Sequence, residues 1–94
     1  MSLLADNMRF LRGRRGLSQQ RVADDLIITR SRYAKYEEGA SEPPIELLQR
    51  ISWYFQVSID LLVGIDLQRS RIEELLKLPD YRMVLPVKQN SQQR

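Results

Sequence analysis

Neither cysteine nor histidine occurs in the 94 residues. Without cysteine there is no disulfide and no thiolate chemistry. Without histidine there is no imidazole base, so catalytic triads and histidine- or cysteine-built zinc sites are excluded from this chain alone. The missing cysteines are compatible with a reducing cytoplasm. No stretch approaches the ~20 apolar residues of a membrane span, and the N-terminus has no signal-type apolar core. The expected location is therefore the cytoplasm, with no membrane partner. An enzyme built only on carboxylates remains formally open, but no cleft-forming length supports one. No catalytic residue, metal or cofactor is expected.

What is present fits one small domain with a tail, and an apolar fraction of 43% allows one modest core. The net charge of +3 is ordinary, but its distribution is not. From Arg9 to Lys35 there are eight basic residues against two acids, Asp24 and Asp25, a local +6. Residues 36–94 carry seven basic and nine acidic residues, a local −2. A basic half opposite a mildly acidic one suggests an oriented surface for a polyanion, the alternative being a solvated charged face.

Taken in order, the chain reads as five helices. Leu4, Met8 and Leu11 form the apolar stripe of a first helix, from Ser2 or Leu4 to Arg15, stopped by Gly16. Ser18 is a suitable N-cap for a second helix over Gln19 to Leu26, with Val22, Ala23 and Leu26 inward. Ile27 and Ile28 form a tight turn. Thr29 caps a third helix, residues 29–37, in which Tyr33 and Tyr36 point inward or sideways and Arg30, Ser31, Ala34 and Lys35 point out. Gly39 ends it. The prolines of ASEPP introduce a fourth helix whose expected buried stripe is Ile45, Leu48, Ile51, Ser52 and Phe55. Ser58 caps a short fifth helix with Ile59 and Leu62 inward, and Gly64 closes an all-α domain over residues 1–64. Leu47, Trp53, Tyr54 and Leu61 fall off these stripes and suggest a covered or partner-binding surface. Residues 65–94 form a tail: a helix over 66–78, an extended segment YRMVLPV, then a polar, disordered end. The tail helix either folds back over Trp53 and Leu61 or pairs with a second chain or protein partner.

Met8, Leu11 and Arg12, then LSQQRVADDL, Tyr33-x-x-Tyr36-Glu37-x-Gly39, Pro43, the Ile45/Leu48/Ile51/Phe55 stripe and VSIDLL together resemble the Cro/phage-repressor-like, or Xre-type, helix-turn-helix family over about residues 3–64. The resemblance implies a regulator, expected to be a repressor, that binds double-stranded DNA as a homodimer and inserts its third helix into the major groove. By position, Arg30, Ser31 and Lys35 would meet base edges. Gln19, Thr29 and Arg32 would meet phosphates, and Arg9, Arg14 and Arg15 would contribute long-range attraction only. Glu37, on the inner edge of the third helix, is expected to pair with Arg12 as a partly buried structural ion pair.

The chain departs from the family pattern at several points. Ile27 stands where glycine is usual, which predicts a rebuilt turn, because a β-branched residue is strained at positive φ. Gln56 also replaces a frequent glycine. Tyr33 replaces an aliphatic residue, which predicts an outward shift of the third helix. Glu38 and Glu42 weaken phosphate contact in the loop after that helix. The alternative function is an antitoxin-like interaction module whose tail binds a partner protein.

Overall fold

A computed structural model describes residues 2–70. Five helices follow one another: α1 (Leu3–Arg14), α2 (Gln19–Leu26), α3 (Arg30–Glu38), α4 (Ile45–Phe55) and α5 (Ile59–Gly64). There is no strand among the described residues, and the fold is all-α. None of these helices is long and apolar enough to cross a membrane.

Side-chain oxygens set four of the five helix starts. Ser2, Ser18, Thr29 and Ser58 each accept a hydrogen bond from the backbone N–H three residues on, at 3.0–3.3 Å. Each cap satisfies one of the donors that a helix start leaves unpaired. The fourth helix has Pro44 at its cap position and no side-chain cap. A proline there presents no N–H needing a partner.

One device ends the first four helices. After each, a residue at positive φ lets two successive N–H groups bond back to helix carbonyls. At α3 these are Gly39 to Tyr36 and Ala40 to Lys35, at 3.2 and 2.9 Å. Gly16 serves α1 in the same way. The other two positions are not glycine. Ile27 ends α2 at φ 60°, ψ 48°, and Gln56 ends α4 at φ 60°, ψ 42°. The expected rebuilding of the turn at Ile27 therefore does not occur. The turn keeps its left-handed residue, and the isoleucine side chain stands 83% exposed. Ile28 packs against the core in its place.

The core gathers Met8, Leu11, Val22, Ala23, Leu26, Tyr33, Tyr36, Leu47, Ile51, Phe55, Leu61 and Leu62. Ala23 has no exposed surface and lets α3 lie close on α2. Tyr33, expected to displace α3, is wholly buried. The stripe expected on α4 is rotated. Ile45 is 73% exposed and Leu48 only half-buried, while Leu47, Ile51, Ser52 and Phe55 are inside. Ile45 is the first helical residue and lies beyond the edge of the core, so burial follows the 47–51–55 row. Of the two alternatives for Leu47, Trp53, Tyr54 and Leu61, a covered or a partner-binding surface, the described residues fit the covered one. Leu47 and Leu61 are core, and Trp53 and Tyr54 are half-buried. On α5, Leu61 and Leu62 are buried and Ile59 only partly so.

The closing segment is organised by one residue that sequence reading did not single out. Asn7, fully buried on α1, donates its side-chain amide to the carbonyls of Leu62 and Ile65 at 2.8 and 2.7 Å. Its oxygen accepts from the Leu67 N–H at 3.0 Å. The packed unit thus runs past residue 64 to Leu67, which is itself buried. A helix was expected from residue 66, but Ile65 is extended and residues 67–70 form a turn. The rest of that expected helix, the extended segment and the polar end lie outside the described residues.

Ile27→Gly should stabilise the domain by about 1 kcal/mol, since glycine removes the left-handed penalty and no packing is lost, partly offset by greater unfolded-state freedom. Chemical denaturation of the two proteins measures the difference. An unchanged or lower midpoint would show that the strain at Ile27 does not exceed the unfolded-state freedom that glycine adds.

Candidate nucleic-acid interface

The third helix has two unlike faces. Tyr33, Tyr36 and Glu37, at i, i+3 and i+4, are buried. Arg30, Ser31, Arg32 and Lys35 are exposed, and Ala34 is half-buried. The Thr29 cap fixes where the helix begins, its hydroxyl oxygen accepting from Arg32 N–H at 3.1 Å.

Glu37 is 1% exposed, so its carboxylate needs internal donors. Arg12 supplies a two-pronged bond: Nε to Oε2 at 2.7 Å and a terminal nitrogen to Oε1 at 3.1 Å. The Gln19 side-chain amide donates to Oε1 at 3.0 Å. Arg12 also donates to the Leu17 carbonyl at 2.9 Å, and Arg9 donates to the Glu37 backbone carbonyl. One acid therefore ties α1, α2 and α3 together. Burial alone would push its pKa up, but the contacts from Arg12, Tyr33 and Gln19 outweigh burial and hold it below the ordinary 4.5. The Arg12 guanidinium is correspondingly raised, chiefly by its hydrogen bond to Glu37. Burial, followed by the nearby Glu37, raises the Tyr33 phenol. That hydroxyl has no hydrogen-bond partner of ordinary geometry among the described residues.

The basic stretch divides sharply once its partners are known. Arg9 bonds Asp6 and the Glu37 carbonyl, and Arg12 bonds Glu37. Arg14 lies over the Phe10 ring. Arg15 donates to the Tyr54 carbonyl at 2.7 Å and lies over the Tyr54 and Phe55 rings. Arg21 pairs with Asp25, which also accepts from the Tyr54 hydroxyl at 2.6 Å. Arg32 donates to the Tyr36 hydroxyl at 2.7 Å. The side chains of Arg30 and Lys35 make no hydrogen bond, ion pair or ring contact among the described residues. Both stand on the outward face of α3. Arg9 and Arg15, read from sequence as sources of long-range attraction, are thus engaged with the protein's own backbone and rings. Nothing in residue spacing marks Asn7 or the Gln19–Glu37 bond, because both join segments distant in sequence.

A short, outward-facing helix, set by a tight turn against its predecessor and braced by a third, is the layout of a helix-turn-helix unit. Comparison with known proteins agrees. The helix-turn-helix family model matches residues 8–62. An SPbeta prophage-derived HTH-type transcriptional regulator of Bacillus subtilis, YonR, is 36% identical over 78 residues, spanning 83% of this chain and 72% of that one. The cryptic phage CTXphi transcriptional repressor RstR of Vibrio cholerae is 29% identical over 75 residues, spanning 80% of this chain and 66% of that one. A crystal structure of a transcriptional regulator from Listeria innocua superimposes with a TM-score of 0.62 at 29% identity, covering 82% of this chain and 79% of that one. The chain belongs to the Cro/C1-type, or Xre-type, helix-turn-helix family of DNA-binding transcriptional regulators.

Two outcomes follow from the buried carboxylate. Arg12→Ala should cost about 3 kcal/mol, the low end for a buried pair broken on one side, because the arginine side chain keeps 22% of its surface exposed. A melting temperature within a degree or two of wild type would contradict this. Because the folded-state pKa of Glu37 is depressed, its contribution is complete above the unfolded value near 4.5 and is lost as pH falls through the folded value. Denaturation at a series of acid pH values should therefore show a steeper loss of stability below about pH 4.5 in wild type than in Glu37→Gln.

Proposed function

We propose that the protein is a sequence-specific regulator of transcription, a repressor, that reads double-stranded DNA by inserting α3 into the major groove. One observation carries the reading. Of the eight basic side chains from Arg9 to Lys35, the two without a partner among the described residues, Arg30 and Lys35, share the solvent-facing side of one short helix. A major groove ~12 Å wide admits one such helix. In this reading Arg30 and Lys35 donate to guanine O6 and N7, and the exposed Ser31 hydroxyl, able to donate or accept, adds a less selective contact.

Gln19, Thr29 and Arg32 are assigned to phosphates. Their internal bonds are compatible with that role. The Gln19 amide keeps a second N–H beyond the one given to Glu37. The Thr29 hydroxyl accepts from the backbone and retains its own proton for a phosphate oxygen. Arg32 uses Nε on Tyr36, leaving the outer edge of its guanidinium. Arg12 and Glu37 bear on geometry rather than on DNA itself.

The acting species in this proposal is a homodimer in the cytoplasm, since two copies would read the two halves of a palindromic operator. The interaction-module alternative places a protein partner on residues 65–94. The comparisons favour transcriptional regulation instead.

Selection of bound duplexes from a random pool tests specificity, and a palindrome among the winners would support the dimer. On the selected site, Arg30→Ala and Lys35→Ala should each weaken binding by about 1–3 kcal/mol and relax preference at one base position. Affinity against salt should fall with a log–log slope near −0.9 per neutralised phosphate. A flat salt response, or unchanged specificity in both variants, would remove the groove assignment.

A further inference from the structure

We infer that Glu37 is a positioning residue for duplex binding: its buried carboxylate sets the Gln19 side-chain amide so that one N–H faces inward and the other is presented to a DNA phosphate. The inference rests on the duplex-reading proposal above and adds to it the element that orients the phosphate donor.

The chemistry fixes the polarity of the amide. An ionised carboxylate only accepts hydrogen bonds, so the Gln19 nitrogen, not its oxygen, must turn toward Glu37. A primary amide nitrogen carries two hydrogens in one plane. With the first bound to Oε1 at 3.0 Å, the direction of the second is fixed. The carboxylate cannot swing away, because Arg12 holds both of its oxygens and is itself anchored on the Leu17 carbonyl. Gln19 is half-exposed, so part of the residue reaches solvent while its amide nitrogen is held on Glu37. It is also the first residue of α2, where backbone N–H groups are left without helical partners. A free glutamine at that position would lose several rotamers on meeting a phosphate, and here that ordering is done before DNA arrives.

A structural role and a positioning role for Glu37 are separated by replacing the ion pair rather than breaking it. Apolar residues of similar volume in place of a buried pair often leave stability unchanged. The double variant Arg12→Met/Glu37→Leu therefore removes the acceptor while retaining a filled interior. Binding to the selected duplex is measured by fluorescence anisotropy at a temperature where every variant is folded, in the Gln19 and Gln19→Met backgrounds. Gln19→Met alone should weaken binding about tenfold, with little change in salt slope because a neutral donor releases no counterion. The apolar pair should weaken binding about three- to tenfold when Gln19 is present and have no further effect in Gln19→Met.

Full affinity in the folded apolar-pair variant, or an equal loss in both backgrounds, would overturn the inference while leaving the DNA reading intact. Failure of the wild-type protein to bind any duplex would overturn both. Should the apolar pair not fold, the side-chain amide resonances of Gln19 in the wild-type protein decide the matter. One proton should shift as Glu37 titrates at acid pH while the amide stays rotationally ordered. A freely rotating amide insensitive to that titration would sink the proposal.

Discussion

The buried carboxylate of Glu37 is the point at which α1, α2 and α3 are tied together. Isolated, the Glu37 carboxylate would be intolerable in the interior, because removing an ion from water costs several kcal/mol even after relaxation. It is tolerated because two side chains aim donors at it and Arg9 secures its backbone. Such an arrangement is a poor source of stability and a good source of geometry. Alternative packings that break any of these contacts leave a charge stranded, so the angle between α1, α2 and α3 has few competitors.

The same logic explains how a chain with so many arginines presents so few of them. Cations on α1 and α2 are drawn onto Asp6, Asp25, Glu37, backbone carbonyls and aromatic faces. The exposed pairs among them, Arg9–Asp6 and Arg21–Asp25, contribute little energy. Their effect is to remove charge from surfaces that have no use for it. Selectivity for a polyanion then resides in position rather than in overall charge, consistent with a net charge of only +3.

Much of this was legible in the residues. Ser18 and Thr29 announce their helices because short hydroxyl side chains accept from backbone N–H groups, a local effect that local sequence encodes. The Arg12–Glu37 contact followed mostly from the family pattern, with an acid on an otherwise inward face as the local cue. The α4 register failed because Ile45 begins its helix at the edge of the core, and apolarity alone does not reveal where a core stops. Ile27 misled for a different reason. A left-handed isoleucine is disfavoured on its own, but two backbone hydrogen bonds and a solvent-facing side chain hold it there. Asn7 was invisible because its partners lie 55–60 residues away. Among the candidate site residues, the outward position of Arg30, Ser31 and Lys35 could be read from helical phase. The inward bond of Gln19 could not.

Asn7 has a bearing on how the molecule is born. Its three-way grip on the carbonyls and N–H of residues 62–67 closes the first helix against the last part of the domain. During synthesis the N-terminal helices emerge first, and this amide then has only water to bond. The Leu67 N–H can reach the Asn7 oxygen only after Leu67 has cleared the ribosome. Nascent chains arrested short of that residue would keep an open seam beside α1, because the partner that closes it has not yet been made.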